Sequence, residues 1–228
     1  MKVSCFLPCR RGSERVLNKN IRPFAGFQHG LIEIKLRQLC RAELIDEIVL
    51  STNDDEIIRY ATSLGHPKIR LHKREESLSS SETSTDSLAA HALFLIPTGH
   101  ILWTHVTSPF VKAKEYDLII QSYVNALADG YDSLMTTTEI HGFLWDKKGP
   151  VNYDRNFEKW PRTQTLASLH EVNSAAFLSS ADNYEKLDDR IGEKPFLYTL
   201  DKIKSFDIDW PDDFKIAECI VKGGLVEL

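Results

Sequence analysis

Phe6-Leu7-Pro8-Cys9-Arg10-Arg11-Gly12-Ser13-Glu14-Arg15-Val16-Leu17-Asn18-Lys19-Asn20 decides how the rest of the chain is read. The apolar run from Val3 to Leu7 stops at Pro8, and a short strand that stops in this way feeds a loop. Gly12, Ser13 and two asparagines leave the loop's N–H groups free to face a ligand. From Arg10 to Arg22 five cations, Arg10, Arg11, Arg15, Lys19 and Arg22, stand against one acid, Glu14, in a chain whose formal net charge is -5. A basic, glycine-containing loop at the carboxyl end of a first strand is an anion site, and a polyphosphate is the anion that suits it best. Merely solvated basic loops are also common, and neither a Walker loop nor a dinucleotide fingerprint is present.

Outward from this loop, strand and helix patterns alternate. Leu31, Ile32, Leu36 and Leu39 recur at helical spacing, and Glu47 to Thr52 reads as a buried strand. Asn53-Asp54-Asp55-Glu56 opens a helix that runs to Gly65. Ile69 to His72 is a short strand, and polar Lys73 to Ser87 is a loop leading into a helix with Leu88, Ala89, Ala92, Leu93 and Leu95. Ile101 to Val106 is the next strand, with Thr107-Ser108-Pro109-Phe110 at its carboxyl end. A helix over Tyr116–Leu127 and a strand over Ser133–Thr138 follow. Repeated strand–helix–strand units predict an α/β fold with a mostly parallel sheet. The alternation breaks from Glu139 to about Arg190, which holds Phe143, Trp145 and Trp160 outside any clean period. This stretch reads as a β-rich insertion, either an oligomer interface or an ordinary extra hairpin, with Val172 to Leu178 returning to the main sheet.

Near the end of the chain Phe206 and Ile208 alternate with Asp207 and Asp209, which predicts a strand with both acids on one face. Carboxylates at i and i+2 on a strand lie roughly 6–7 Å apart at the backbone and can converge on one Mg²⁺. They can also hold two metals about 3.5–4 Å apart, and the plain alternative is the polar face of an edge strand. Pro211 suits a first helical turn, where Asp212 and Asp213 meet a favourable dipole. A triphosphate needs cations to hold it and a metal to neutralise it at transfer, so the basic loop and the acid pair complement each other.

The bulk properties narrow the class. The 228 residues suit one domain, 1–228, carrying the insertion at about 139–190. No apolar run reaches membrane-spanning length, and the acidic balance argues against non-specific nucleic-acid binding. Cys5, Cys9, Cys40 and Cys219 form no C-x-x-C, so a reducing cytoplasm is the expected location.

These segments together resemble the acylneuraminate cytidylyltransferases, or CMP-sialic acid synthetases. Pro8 to Asn20 is similar to their opening P-A-R-x-G-S-K-R-x-P-x-K-N, and Ser51-Thr52-Asn53-Asp54-Asp55-Glu56 to their S-T-D-x-E. Arg74 to Ser81 resembles R-P-x-x-L-A-x-D, and His105-Val106-Thr107-Ser108-Pro109-Phe110 resembles Q-P-T-S-P-L. Arg162-Thr163-Gln164 and Asn173-Ser174-Ala175-Ala176-Phe177 are similar to R-Q and N-G-A-I-Y, and Ser205 to Phe214 to S-I-D-I-D-T-x-x-D-F. The resemblance implies a three-layer sandwich of the nucleotide-diphospho-sugar transferase type, with a small β-rich dimerisation insertion that also completes the sugar site. It implies CMP transfer from CTP to a 2-keto-3-deoxy sugar acid, with Mg²⁺, in a cytoplasmic homodimer that needs no nucleic acid or membrane. By position, Arg10, Ser13, Lys19 and Asn20 would hold the nucleotide and its phosphates, and Arg74, Thr83 and Thr85 would lie near the cytidine. Asp207 and Asp209 would hold the metal, and His105, Arg162, Gln164 and Asn173 would face the sugar acid. The catalytic set implied is Arg10, Lys19, Asp207 and Asp209.

Departures from the pattern are Glu14 for lysine, Leu17 for proline, Ser81 for aspartate, His105 for glutamine and Val111 for arginine. Glu14 is expected to point away from a phosphate or to pair with Arg11 or Arg15. A nine-carbon, sialic-acid-like acceptor is the first reading. A shorter ulosonic acid, a catalytically silent nucleotide-binding relative and a metal-dependent glycosyltransferase stand as alternatives.

Overall fold

The computed structural model describes residues 1–80 and 82–228, so Ser81 lies outside the described residues. In chain order the strands are β1 (Val3–Pro8), β2 (Glu47–Thr52), β3 (Ile69–Lys73), β4 (His100–Trp103), β5 (Ser133–Ile140), β6 (Leu169–Ser180) and β7 (Pro195–Thr199). The helices are α1 (Gly30–Arg41), α2 (Asp55–Leu64), α3 (Thr85–Leu95), α4 (Ala113–Ala128), α5 (Ala181–Leu187) and α6 (Pro211–Lys222). Among the described residues the strands form one sheet in the order β3-β2-β1-β4-β6-β5-β7. β1 pairs in parallel with β2 and β4, β2 with β3, and β5 with β7; β6 alone runs against its neighbours.

The central strands are apolar on both faces because helices cover both, as a parallel sheet requires. Val3, Cys5 and Leu7 of β1, with Ile48 and Leu50 of β2, pack with α1, α2, α4 and α6. The alternate residues, Phe6 and Val49, join Trp103, Ala89 and Ala92 beneath α3 and α5. The period-two pattern of each strand thus sorts its side chains between two cores, giving three layers. Asp54 caps α2 by accepting from the N–H groups of Glu56 (2.9 Å) and Ile57, and Gly65 ends it in the left-handed region at φ 55°.

Two expectations are corrected. Phe206 to Asp209 pairs with no strand among the described residues, although Ile208 is fully buried and the flanking acids are part-exposed. The alternation comes from packing against the sheet's edge, since the Ile208 N–H donates instead to the Thr107 carbonyl at 2.9 Å. The stretch from 141 to 168 is mainly turns and loop, with one isolated bridge between Trp145 and Pro150 and a 3₁₀ turn at Thr163–Thr165. Its aromatics pack on one another, Phe143 against Tyr153 and Trp160, without sheet pairing. β6 does return to the main sheet. Among the described residues no helix is long and apolar enough to cross a membrane.

One glycine seats the basic loop. Gly30 opens α1 at φ 58°, and a Cβ there would strike the Arg22 carbonyl. The same loop is held to α1 by the Ile32 N–H, which donates to the Asn20 carbonyl at 2.8 Å. Gly30→Ala is therefore expected to cost about 2 kcal/mol or more, read as a lower denaturation midpoint with unchanged denaturant dependence.

Candidate active site

β1, β2 and β4 all end at one edge of the sheet, and strand order reverses between β1 and β4. This is the place where open α/β sheets take ligands. A cleft of about 410 Å³ opens there, lined by Arg10, Ser13, Lys19 and Asn20 from the loop after β1, and by His105 and Thr107 after β4. Asp207 and Asp209 close it from the far end of the sequence, and Ser174 closes it from β6. A second chamber of about 700 Å³ adjoins it and shares Ser174, Asp207 and Asp209. Asn173, Glu171, Lys202 and Trp210 line this second space. The two acids therefore stand on the divide between the chambers.

The loop after β1 is shaped by its own polar groups. Asn20 Nδ2 donates to the Arg10 carbonyl at 3.0 Å, stapling its two limbs, and Asn18 turns the chain at φ 52°. The Arg11 N–H donates to Asn53 Oδ1 at 2.8 Å. Lys19 reaches across the cleft, where its ammonium donates to the Ile208 carbonyl at 2.7 Å and to Asp209 Oδ1 at 3.2 Å. Arg15 lies 3.5 Å from Asp209 Oδ2 and its guanidinium covers the Trp210 ring. Asp213 Oδ2 accepts from the N–H groups of Asp209 and Trp210, so α6 pins the acid segment from behind.

Asp207 and Asp209 differ in environment. Burial raises the Asp207 pKa, the neighbouring Asp209 charge adds to this, and Thr107 and Lys19 oppose it. Asp207 Oδ1 is buried and has no hydrogen-bond partner among the described residues. An unpartnered, desolvated carboxylate oxygen facing a second carboxylate suits a hard cation. Among the described residues no group of three or more His, Cys, Asp or Glu gathers, so ligand oxygens would have to complete such a site. Arg74 is nearly fully buried, and its Nε lacks a partner among the described residues. Burial lowers its pKa and the nearby Arg10 charge adds to the effect. Arg74 itself lines neither chamber.

Other placements depart from expectation. His105 lines the cleft, but its nitrogens are spent internally. The Trp103 indole N–H donates to Nε2 at 2.9 Å, which leaves Nδ1 to donate to the Ser174 carbonyl at 3.1 Å. Burial depresses its pKa to about 4, so the ring is neutral and presents only carbon edges to a ligand. Glu14 does not pair with Arg15, which engages Asp209; it stands exposed on the cleft wall. Thr83 and Thr85 lie outside the cleft, Thr83 within hydrogen-bond reach of Ser80 and Thr85 in the first turn of α3. Arg162, just before the 3₁₀ turn, and Gln164, within it, are exposed and line neither chamber. Arg15 and Trp210 were not singled out from the sequence, although Arg15 belongs to the basic loop and Trp210 directly follows the acids.

The cytidylyltransferase family model matches residues 4–223. The chain belongs to the cytidylyltransferase family. It is accordingly a nucleotidyltransferase. A pseudaminic acid cytidylyltransferase of Campylobacter jejuni is 24% identical over 230 residues, covering 97% of each chain. An N-acylneuraminate cytidylyltransferase of Escherichia coli O18:K1:H7 is 22% identical over 95% of this chain and 51% of its own. Among solved structures, a CMP:2-keto-3-deoxy-manno-octonic acid synthetase complexed with CTP superposes with a TM-score of 0.68 at 14% identity, over 98% of this chain and all of the other. That likeness establishes the fold.

The Asp207 environment makes a pH prediction. Folding raises its pKa, so in the window just above the ordinary carboxylate range the folded chain binds more protons than the unfolded one. In that window stability falls as pH rises. Asp207→Asn removes the penalty and is expected to denature at an equal or higher temperature than the parent near neutral pH, the difference closing in acid. A second expectation concerns Glu14. Glu14→Lys should lower the CTP concentration needed for half-saturation several-fold at low salt, and less at high salt, read by calorimetry.

Proposed function

We propose that this chain transfers CMP from CTP to the anomeric hydroxyl of a sialic-acid-like, nine-carbon 2-keto-3-deoxy sugar acid and releases pyrophosphate. The observation that carries the reading is the pair of chambers joined at Asp207 and Asp209, the first setting Arg10, Arg15 and Lys19 opposite those acids and the second lined by Glu171, Asn173, Lys202 and Trp210. The two relatives above carry the names of pseudaminic and N-acylneuraminic acids, both acidic sugars. In this reading Arg10, Ser13, Lys19 and Asn20 take the phosphates, and buried Arg74 supplies a second cation beside Arg10. The acceptor lies in the second chamber with Asn173. Its hydroxyl oxygen releases its proton to solvent and forms the new bond to the α-phosphorus, the bond to the bridging oxygen breaks, and pyrophosphate carries away the electron pair.

Asp207 and Asp209 would hold Mg²⁺, which supplies charge neutralisation at the transferring phosphorus. Lys19 already touches Asp209, so it places a positive charge beside the path of the leaving group without reorganisation. His105 is not the base that takes the acceptor proton, because its Nε2 lone pair accepts from Trp103. It shapes the wall of the first chamber.

Arg162 and Gln164 reach a sugar only if a second copy supplies them, so the proposal includes a homodimer. Phe157 (91% exposed), Trp160 (63%) and Trp145, with Arg155 over the two indoles, give the insertion an apolar face suited to a self-contact. Light scattering of the purified chain tests the dimer, and a monomeric mass at assay concentration removes Arg162 from the site.

The deciding experiment is pyrophosphate release from each of the four NTPs with Mg²⁺, against nine-carbon and eight-carbon 3-deoxy-2-ketonic acids. Release with CTP and a nine-carbon acid is expected, while release only with an eight-carbon acid reassigns the acceptor. No release with any pair, despite CTP binding, defeats the reading. Asp209→Asn should lower kcat on the order of a hundredfold or more with the fold retained. Arg162→Ala should raise KM for the sugar acid more than for CTP.

A further inference from the structure

A buried cation behind the cleft takes no part in the reaction just described. Lys35, on α1, is fully buried. Its ammonium donates to the Ser108 carbonyl and to the Tyr116 hydroxyl, each at 2.7 Å. One turn along, Gln38 Nε2 donates to the Pro109 carbonyl at 2.6 Å. α1 thus grips two successive carbonyls of the loop after β4. The residue before them, Thr107, lines the cleft and accepts the Ile208 N–H. A second branch leads to β6. The Tyr116 and Thr104 hydroxyls lie 2.8 Å apart, and Thr104 donates to the Ala175 carbonyl at 2.6 Å. With Lys35 donating into Tyr116 and Thr104 donating out to Ala175, the Tyr116 O–H points to Thr104. An unbroken run of donors therefore joins α1 to the strand that carries Ser174.

Burying an ammonium for stability alone is a poor bargain, since desolvation offsets most of what its hydrogen bonds return and an apolar side chain would fill the space. The desolvation is visible here: burial lowers the Lys35 pKa to about 7, opposed by Cys5 and Asp207. What an apolar residue could not do is hold a loop carbonyl and a hydroxyl at set positions.

We propose that Lys35 is a positioning residue for the acid segment, fixing the Thr107-Ser108 loop from which Ile208, and with it Asp207 and Asp209, is hung. The inference deepens the proposed transfer and rests on it for the kinetic readout alone. Lys35→Met keeps the length and removes the donors, and Tyr116→Phe removes one partner at unchanged volume. Amide hydrogen exchange at Ile208 is compared with that at Val49 and Leu50 in β2, alongside CTP-dependent pyrophosphate release. In both variants Ile208 is expected to exchange about tenfold faster or more, with Val49 and Leu50 unchanged, and kcat to fall about tenfold with KM for CTP within about twofold. Parent-like exchange at Ile208, or equal acceleration at all three amides, overturns the proposal. If Lys35→Met does not fold, Tyr116→Phe decides by the same criteria. If the parent itself releases no pyrophosphate, the proposed function fails while the exchange comparison still settles the role of Lys35.

Discussion

The Ile208 N–H bond to the Thr107 carbonyl is the constraint on which the cleft depends. The acid segment belongs to no strand and no helix, so it has no ladder to hold it. Its backbone groups are satisfied one at a time, by Thr107 in front, by Lys19 on the Ile208 carbonyl and by Asp213 behind. Loss of any one would leave a buried polar group unpaired and would let two like charges drift from their cations. A carboxylate pair in a partly buried place is expensive to build, and here the cost is met by polar contacts from two distant parts of the chain and from the first turn of α6.

β6 shows how the second chamber is shaped. Its pairing with β5 shifts register between Met135 and Thr137, a bulge that sits beside Asn173 and Ser174. The Thr136 hydroxyl fills the break by accepting from the Ala176 N–H at 2.9 Å and donating to the Ala176 carbonyl at 3.0 Å. The irregularity brings Ser174 to the cleft. Ser174 then offers its carbonyl to His105, which ties the wall of the cleft to β4.

The parallel half of the fold was legible because β1 and β2 are short apolar runs closed by Pro8 and by Asn53. The basic loop was legible from charge alone. The acid segment was misread as a strand because alternation records burial, and burial against a cleft floor looks the same as burial within a sheet. The insertion was misread because aromatic residues signal strands only when a sheet is present to receive them; here Trp145, Trp160 and Arg155 stack on each other. Lys35 left a trace that was overlooked, since it falls four residues from both Leu31 and Leu39 on an otherwise apolar stripe. The fate of His105 depended on its partners, and only Trp103, two residues away on the same side of the chain, hinted at one.

The contact between Lys19 and Asp209 joins residues 190 positions apart. During synthesis the basic loop therefore emerges long before the acids that neutralise it. At ribosomal speed the interval is on the order of ten to forty seconds. Throughout it the nascent chain presents Arg10, Arg15 and Lys19 without the carboxylate that Lys19 and Arg15 meet in the folded protein.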